Sequence, residues 1–273
     1  MVAAFLVMAP LVPYAALALT TPAVRAALPP PAPEPPGPLH ASGGAAQEEA
    51  PGSGPFSARA AREASRGWEW RNLESPGWKL LMAPGSVVRG DVPVADLRTI
   101  GVCLEEFRRA LRELLGGDDR DLMFSARAFA AADDFRRYAT RVGAANAESF
   151  YDPRGMELVI CLERPRNSTW LRRTLAHEFA HAYMDRVWKR TEPLWLAEGV
   201  AEYVSNFALR EGAIVPGVPD ARAVLLLAAE PPPPLERIFK LSREEMYGPG
   251  FARHYAHAWS FVHYLFARGD GLV

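Results

Sequence analysis

Twelve of the 25 prolines in this 273-residue chain fall within its first 55 residues. Proline has no backbone N–H and a fixed φ, so a segment this rich in it can neither continue a helix nor enter the middle of a sheet. Any compact fold must therefore come from the remainder. Residues 28–66 are dominated by Pro, Ala, Gly and Glu. Such a stretch buries too little apolar surface to offset its ordering entropy, and it reads as a disordered linker. Ahead of it, residues 1–27 form an apolar leader, uncharged until Arg25, with Val24-Arg25-Ala26 as a cut site. The leader reads as a signal peptide or an N-terminal membrane tether, which places the protein in the periplasm or outside the cell. The alternative is a disordered leader on a cytoplasmic protein. Residues 67–273 are then the folded domain, and its abrupt end just after a helix suggests truncation there.

Lys+Arg 31 against Asp+Glu 32 gives a net charge of -1. With no basic excess to neutralise phosphates, a nucleic-acid partner is not expected. Two cysteines and no CxxC pair exclude a disulfide scaffold and a zinc finger. Cys103 and Cys161 read as buried free thiols, although export would permit them to pair.

From Trp68 onward the composition becomes that of a core. Trp78 to Met82 reads as a strand. Leu97, Ile100, Leu104, Phe107, Leu111 and Leu114 recur at three- and four-residue steps, an amphipathic helix closed by Gly116-Gly117. Asp121 to Arg127 reads as a strand and Asp133 to Val142 as a helix. Phe150-Tyr151, a turn at 152–155 and Met156 to Leu162 read as a hairpin. The class is α+β: a small mixed sheet and a mostly helical C-terminal half.

Asn167 or Ser168 can cap a helix running through Leu171, Leu175, Phe179, Tyr183 and Val187. It contains His177-Glu178-Phe179-Ala180-His181, an H-E-x-x-H pattern. At about 100° per residue the two histidines stand about 40° apart on one face, one turn above the other. Both imidazoles can then reach one zinc ion, with Glu178 beside them facing a metal-bound water. The bland reading is two histidines on a solvated helix. A catalytic zinc also needs a third protein ligand and an open position. After Pro193, the segment Leu194-Trp195-Leu196-Ala197-Glu198-Gly199-Val200-Ala201-Glu202-Tyr203 offers two carboxylates one turn apart. Sixteen residues separate His181 from Glu198. A short reversal and a returning helix would bring one carboxylate to the metal, and spacing leaves open which.

H-E-x-x-H followed by W-L-x-E-G-x-A-E-Y resembles the gluzincin metallopeptidases. Aminopeptidases of that clan carry a similar W-L-N-E-G-F-A segment after a longer spacer. The resemblance implies that Glu198 is the third ligand of one Zn2+ per chain. Glu202 would accept a ligand histidine's N–H and fix its ring orientation. It also implies that a tyrosine opening a later helix stabilises the oxyanion. Tyr255, 57 residues beyond Glu198 in the run His254 to Leu265, is the candidate. His254, His257 and His263 are alternative donors, but they point to different sides of that helix and read as structural. The run from Trp78 to Leu265, ending in Y-x-x-x-W-x-x-V-H-Y-L, also resembles bacterial peptidase-like proteins of the domain of unknown function 1570.

These resemblances imply a zincin-like domain that hydrolyses peptide bonds. His177, His181 and Glu198 would hold zinc, Glu178 would act as general base, and zinc and Tyr255 would share the oxyanion charge. In zincins the strand before the metal helix is a sheet edge that receives an extended peptide or protein substrate, here Met156 to Leu162. Gly155-Met156-Glu157 matches the aminopeptidases' G-x-M-E-N segment too weakly to choose between endo- and exopeptidase. Pro231 to Pro234 reads as a rigid surface spacer. The alternative from another class is a catalytically inactive zincin-fold binding or scaffold protein at the cell surface. Against it, every residue that the reaction needs is present.

Overall fold

The computed structural model describes residues 58–163, 168–189, 193–210 and 213–268. The leader, most of the expected linker, Asn167 and residues 269–273 lie outside these. Of the stretch 28–66 expected as linker, residues 58–66 are described. Ala58–Ala64 forms helix α1, with Ala61 buried. Arg98 Nη1 then anchors the turn after it by donating to the Ser65 carbonyl at 2.6 Å and the Ser65 hydroxyl at 2.7 Å.

A six-stranded mixed sheet is built from β1 (Trp70–Asn72), β2 (Lys79–Met82), β3 (Ser86–Gly90), β4 (Phe124–Phe129), β5 (Ser149–Asp152) and β6 (Glu157–Cys161). Their order is β1-β2-β3-β4-β6-β5. β3, β4 and β6 run parallel, and the two hairpin partners β2 and β5 run antiparallel to their neighbours. Parallel neighbours need a long crossover. Between β3 and β4 that crossover is α2 (Val94–Leu115). Its Leu97, Ile100, Leu104, Phe107, Leu111 and Leu115 all lie in the main core, as the three- and four-residue spacing requires. Gly116, at φ 67, ends the helix in a backbone region that a side chain would strain.

α3 (Ala132–Val142) follows β4. The metal-motif helix α4 spans Ser168–Tyr183 and passes into a wider π turn, Met184–Trp188. Ser168 thus lies within the helix rather than capping it. The C-terminal half comprises α5 (Leu194–Ser205), the hairpin β7 (Phe207–Arg210) and β8 (Ala213–Pro216), α6 (Ala221–Ala229), α7 (Leu235–Phe239), α8 (Arg243–Met246) and α9 (Phe251–Ala267). Among the described residues no helix is long and apolar enough to cross a membrane.

Three expectations shift. The strand expected at Asp121–Arg127 begins instead at Phe124. Asp119 is buried and ion-paired to Arg108 and Arg112, and the chain turns there, with Leu122 N–H donating to the Asp119 carbonyl at 3.0 Å. β6, expected at the sheet edge, is interior, because its hairpin partner β5 covers that side. The late helix starts at Phe251 after Gly250, at φ 90, so Tyr255 lies one turn inside it rather than at its opening. Cys103 and Cys161 are free thiols, the first buried and the second half-buried. Burial pushes the Cys103 thiol pKa up to about 12, so it stays a thiol.

Candidate metal centre

Three helices and the loop before the last of them converge at the site: α4, which carries the H-E-x-x-H pair, α5, and α9 with the loop ahead of it. α4 carries His177 and Glu178 on its buried side with Leu175, Ala176, Phe179 and Ala180. α5 crosses α4 and brings Glu198, also buried, from the opposite side. α5 can approach α9 closely only because position 199 is glycine. A Cβ there would meet the Ala258 carbonyl oxygen at 2.6 Å and Val262 Cγ2 at 2.7 Å. The Glu-Gly pair of the motif therefore combines a ligand-type residue with a packing requirement in adjacent positions.

The donor atoms form a tight triangle. His177 Nε2 lies 3.2 Å from His181 Nε2 and 3.4 Å from Glu198 Oε2. His181 Nε2 lies 3.5 Å from the same Oε2. Around an ion held at about 2.0–2.1 Å, tetrahedral neighbours stand about 3.3 Å apart. The three separations match that edge length. Glu198 Oε2 is buried and makes no hydrogen bond among the described residues. A buried carboxylate oxygen of that kind is costly unless a charge faces it. Among the described residues this is the one group of three or more His, Cys, Asp or Glu side chains placed to share an ion. Two imidazoles and a carboxylate suit zinc and also other first-row divalent ions.

Charges around the triangle are strongly coupled. Burial opposes a proton on His177, but the carboxylates of Glu198 and Glu202 outweigh it and raise its pKa well above the usual value. Burial likewise pushes Glu198 up, yet the His181 and His177 charges draw it well below the usual carboxylate range. The cluster is thus built to hold positive charge against its carboxylates.

No protein-family model matches the chain, and no curated protein does.

The expected site residues all fall among the described ones. Glu202, one turn after Glu198, places Oε1 3.2 Å from His177 Nδ1, on the side of the ring away from the triangle. Glu178 is buried beside the pair, and its Oε1 accepts from the Ser149 hydroxyl at 2.9 Å. The Tyr255 ring stacks on His177, centroids 6.2 Å apart and planes 9° from parallel. Burial and then the Glu198 charge raise the Tyr255 pKa well above its ordinary value, so its phenol stays protonated. His254, His257 and His263 stand outside the ion-sharing group. His257 accepts from Arg253 Nε at 3.4 Å, and the His263 ring packs against Trp259. Glu157 of the G-M-E segment is buried between two guanidinium groups, Arg89 Nε at 2.6 Å and Arg127 Nε at 2.8 Å.

Two contributors lie outside the sequence motifs. The Tyr247 hydroxyl donates to Glu198 Oε1 at 2.7 Å across 49 positions of sequence. Ser149, on the edge strand, reaches Glu178. The alternation of a strand puts Ser149 and Tyr151 on one face, and Tyr151 donates to Asp185 Oδ2 at 2.7 Å just past the metal helix. That alternation was the one available signal for Ser149. Tyr247 had none, since it precedes a Gly-Pro-Gly run that reads only as a turn.

Proposed function

We propose that this chain is a zinc-dependent metallopeptidase with a zincin-like domain of the gluzincin type, akin to the domain of unknown function 1570. The observation that carries the reading is the triangle of His177 Nε2, His181 Nε2 and Glu198 Oε2, with separations of 3.2, 3.4 and 3.5 Å. These three atoms would hold one zinc ion. Zinc bound there supplies Lewis acidity and an activated water at its open position.

The chain's own groups divide the remaining work. Glu178 has one oxygen held by Ser149. Its other oxygen takes a proton from the attacking water and passes it to the leaving amine. Glu202 fixes the His177 tautomer through Nδ1 and thereby directs the Nε2 lone pair into the triangle. Tyr255 keeps its proton and donates to the developing oxyanion. The substrate is a peptide or protein segment. It pairs as an added strand with β5, the sheet edge that Ser149 and Tyr151 tie to the metal helix.

Elemental analysis of the purified protein tests this reading. About one zinc per chain is expected, lost in His181→Ala and in Glu198→Ala. Retention in Glu198→Ala with loss in Glu202→Ala would move the third ligand by one helical turn and keep the enzyme class. No zinc in the parent, even after zinc is supplied, would remove the peptidase reading.

A further inference from the structure

We propose that Tyr247 sets how Glu198 binds the ion: by donating its phenol to Oε1, it leaves Oε2 as that residue's single ligand atom. The inference rests on the metal reading above. A glutamate ligand can bind through one oxygen or both. If both Glu198 oxygens bound, they would take the position that a catalytic site keeps open.

The two carboxylate oxygens already differ. Oε1 is engaged by the Tyr247 hydroxyl at 2.7 Å, whereas Oε2 faces the two imidazole nitrogens and makes no hydrogen bond among the described residues.

Tyr247 is held to this task from behind. It follows α8, whose start is closed by a reciprocal pair: Ser242 Oγ accepts from Glu245 N–H at 3.2 Å, and Ser242 N–H donates to Glu245 Oε2 at 2.9 Å. Met246, next to it, is fully buried, and the Tyr247 N–H donates to the Arg243 carbonyl at 3.0 Å. The Arg243 guanidinium lies 5.1 Å from the Tyr247 ring centroid. The tyrosine is nevertheless 43% exposed, against 8% for Tyr255. It therefore stands between solvent and the ligand carboxylate. Its role is positioning, exerted through Glu198.

Cobalt(II) substitution reads the coordination number directly, through visible bands that are stronger for four-coordinate than for five-coordinate ions. The parent protein should show the four-coordinate spectrum. Tyr247→Phe keeps the ring and removes the hydroxyl. It should weaken the bands toward the five-coordinate pattern and lower metal affinity roughly 10- to 100-fold, in the range found for groups that orient ligands. A parent that is already five-coordinate overturns the inference without recourse to a variant. A Tyr247→Phe protein with unchanged spectrum and affinity overturns it while leaving the metal site standing. A parent that binds neither cobalt nor zinc overturns the metal reading, and the inference falls with it.

Discussion

Glu202 Oε1 lies 3.2 Å from His177 Nδ1, on the opposite side of the imidazole from the triangle that His177 forms with His181 and Glu198. Two carboxylates one helical turn apart on α5 thus grip both nitrogens of one ring. That arrangement assigns the two glutamates different tasks, which spacing left undivided.

Removing the outer carboxylate should loosen the ring without deleting a ligand. Glu202→Ala is expected to lower metal affinity roughly 10- to 100-fold, and Glu198→Ala should lower it further. Competition with a chromophoric chelator measures both. Equal losses would mean that Glu202 is itself a ligand.

Glu178 contacts Ser149 rather than the triangle, so its loss should spare the metal. Glu178→Gln is expected to retain metal at the parent stoichiometry and to reduce kcat about 10²- to 10⁴-fold. Mass spectrometry on a mixed peptide library, alongside elemental analysis, checks both halves. Full turnover in the variant would take the general-base role away from Glu178.

Position 199 couples packing to the site. Gly199→Ala gains about 1 kcal/mol of helix propensity, but its Cβ would press on the Ala258 carbonyl oxygen and Val262 Cγ2. Backbone cannot yield as a side-chain tip does, so overpacking of about 1–3 kcal/mol should win. Urea denaturation should show a net loss. Because α5 also carries Glu198, metal affinity should fall in parallel. A variant as stable as the parent would show that the two helices can slide apart freely.

His257 should impose an acid limit on stability. Burial first, and then the positive charges of Arg253 and His254, lower its pKa to about 4. Between there and the unfolded value of about 6.5 the unfolded chain binds the extra proton. Folding is therefore favoured above about pH 6.5, and that advantage is lost as pH falls toward 4. Allowing for solvent screening, the loss is on the order of 2 kcal/mol. His257→Gln should flatten this part of a stability–pH curve measured on the metal-free protein. A slope equal to the parent's would assign the acid sensitivity to other groups.

The legible parts of this protein are those whose information is local. The face of α2 from Leu97 to Leu114 follows from helical periodicity, and the β5–β6 hairpin follows from its turn at 152–155. The H-E-x-x-H pair follows from two residues one turn apart. Strand boundaries were less legible. Asp119 is buried by guanidinium groups from α2, and that ion pairing moves the start of β4 to Phe124. The short strand β3 (Ser86–Gly90) has no pattern of its own, and it exists because β2 and β4 flank it.

The sequence by itself determined the residue types of the site, their helical spacing, and an α+β domain behind a proline-rich start. Each depends on contacts within a turn or a hairpin. The tertiary structure alone decided that β5 rather than β6 is the outermost strand on that side of the sheet, how Glu198 and Glu202 divide the faces of His177, and that Tyr247 and Ser149 reach the site at all. These depend on how α4, α5 and α9 cross and on the sheet order. Packing sets those contacts between residues dozens of positions apart, and no local periodicity encodes them.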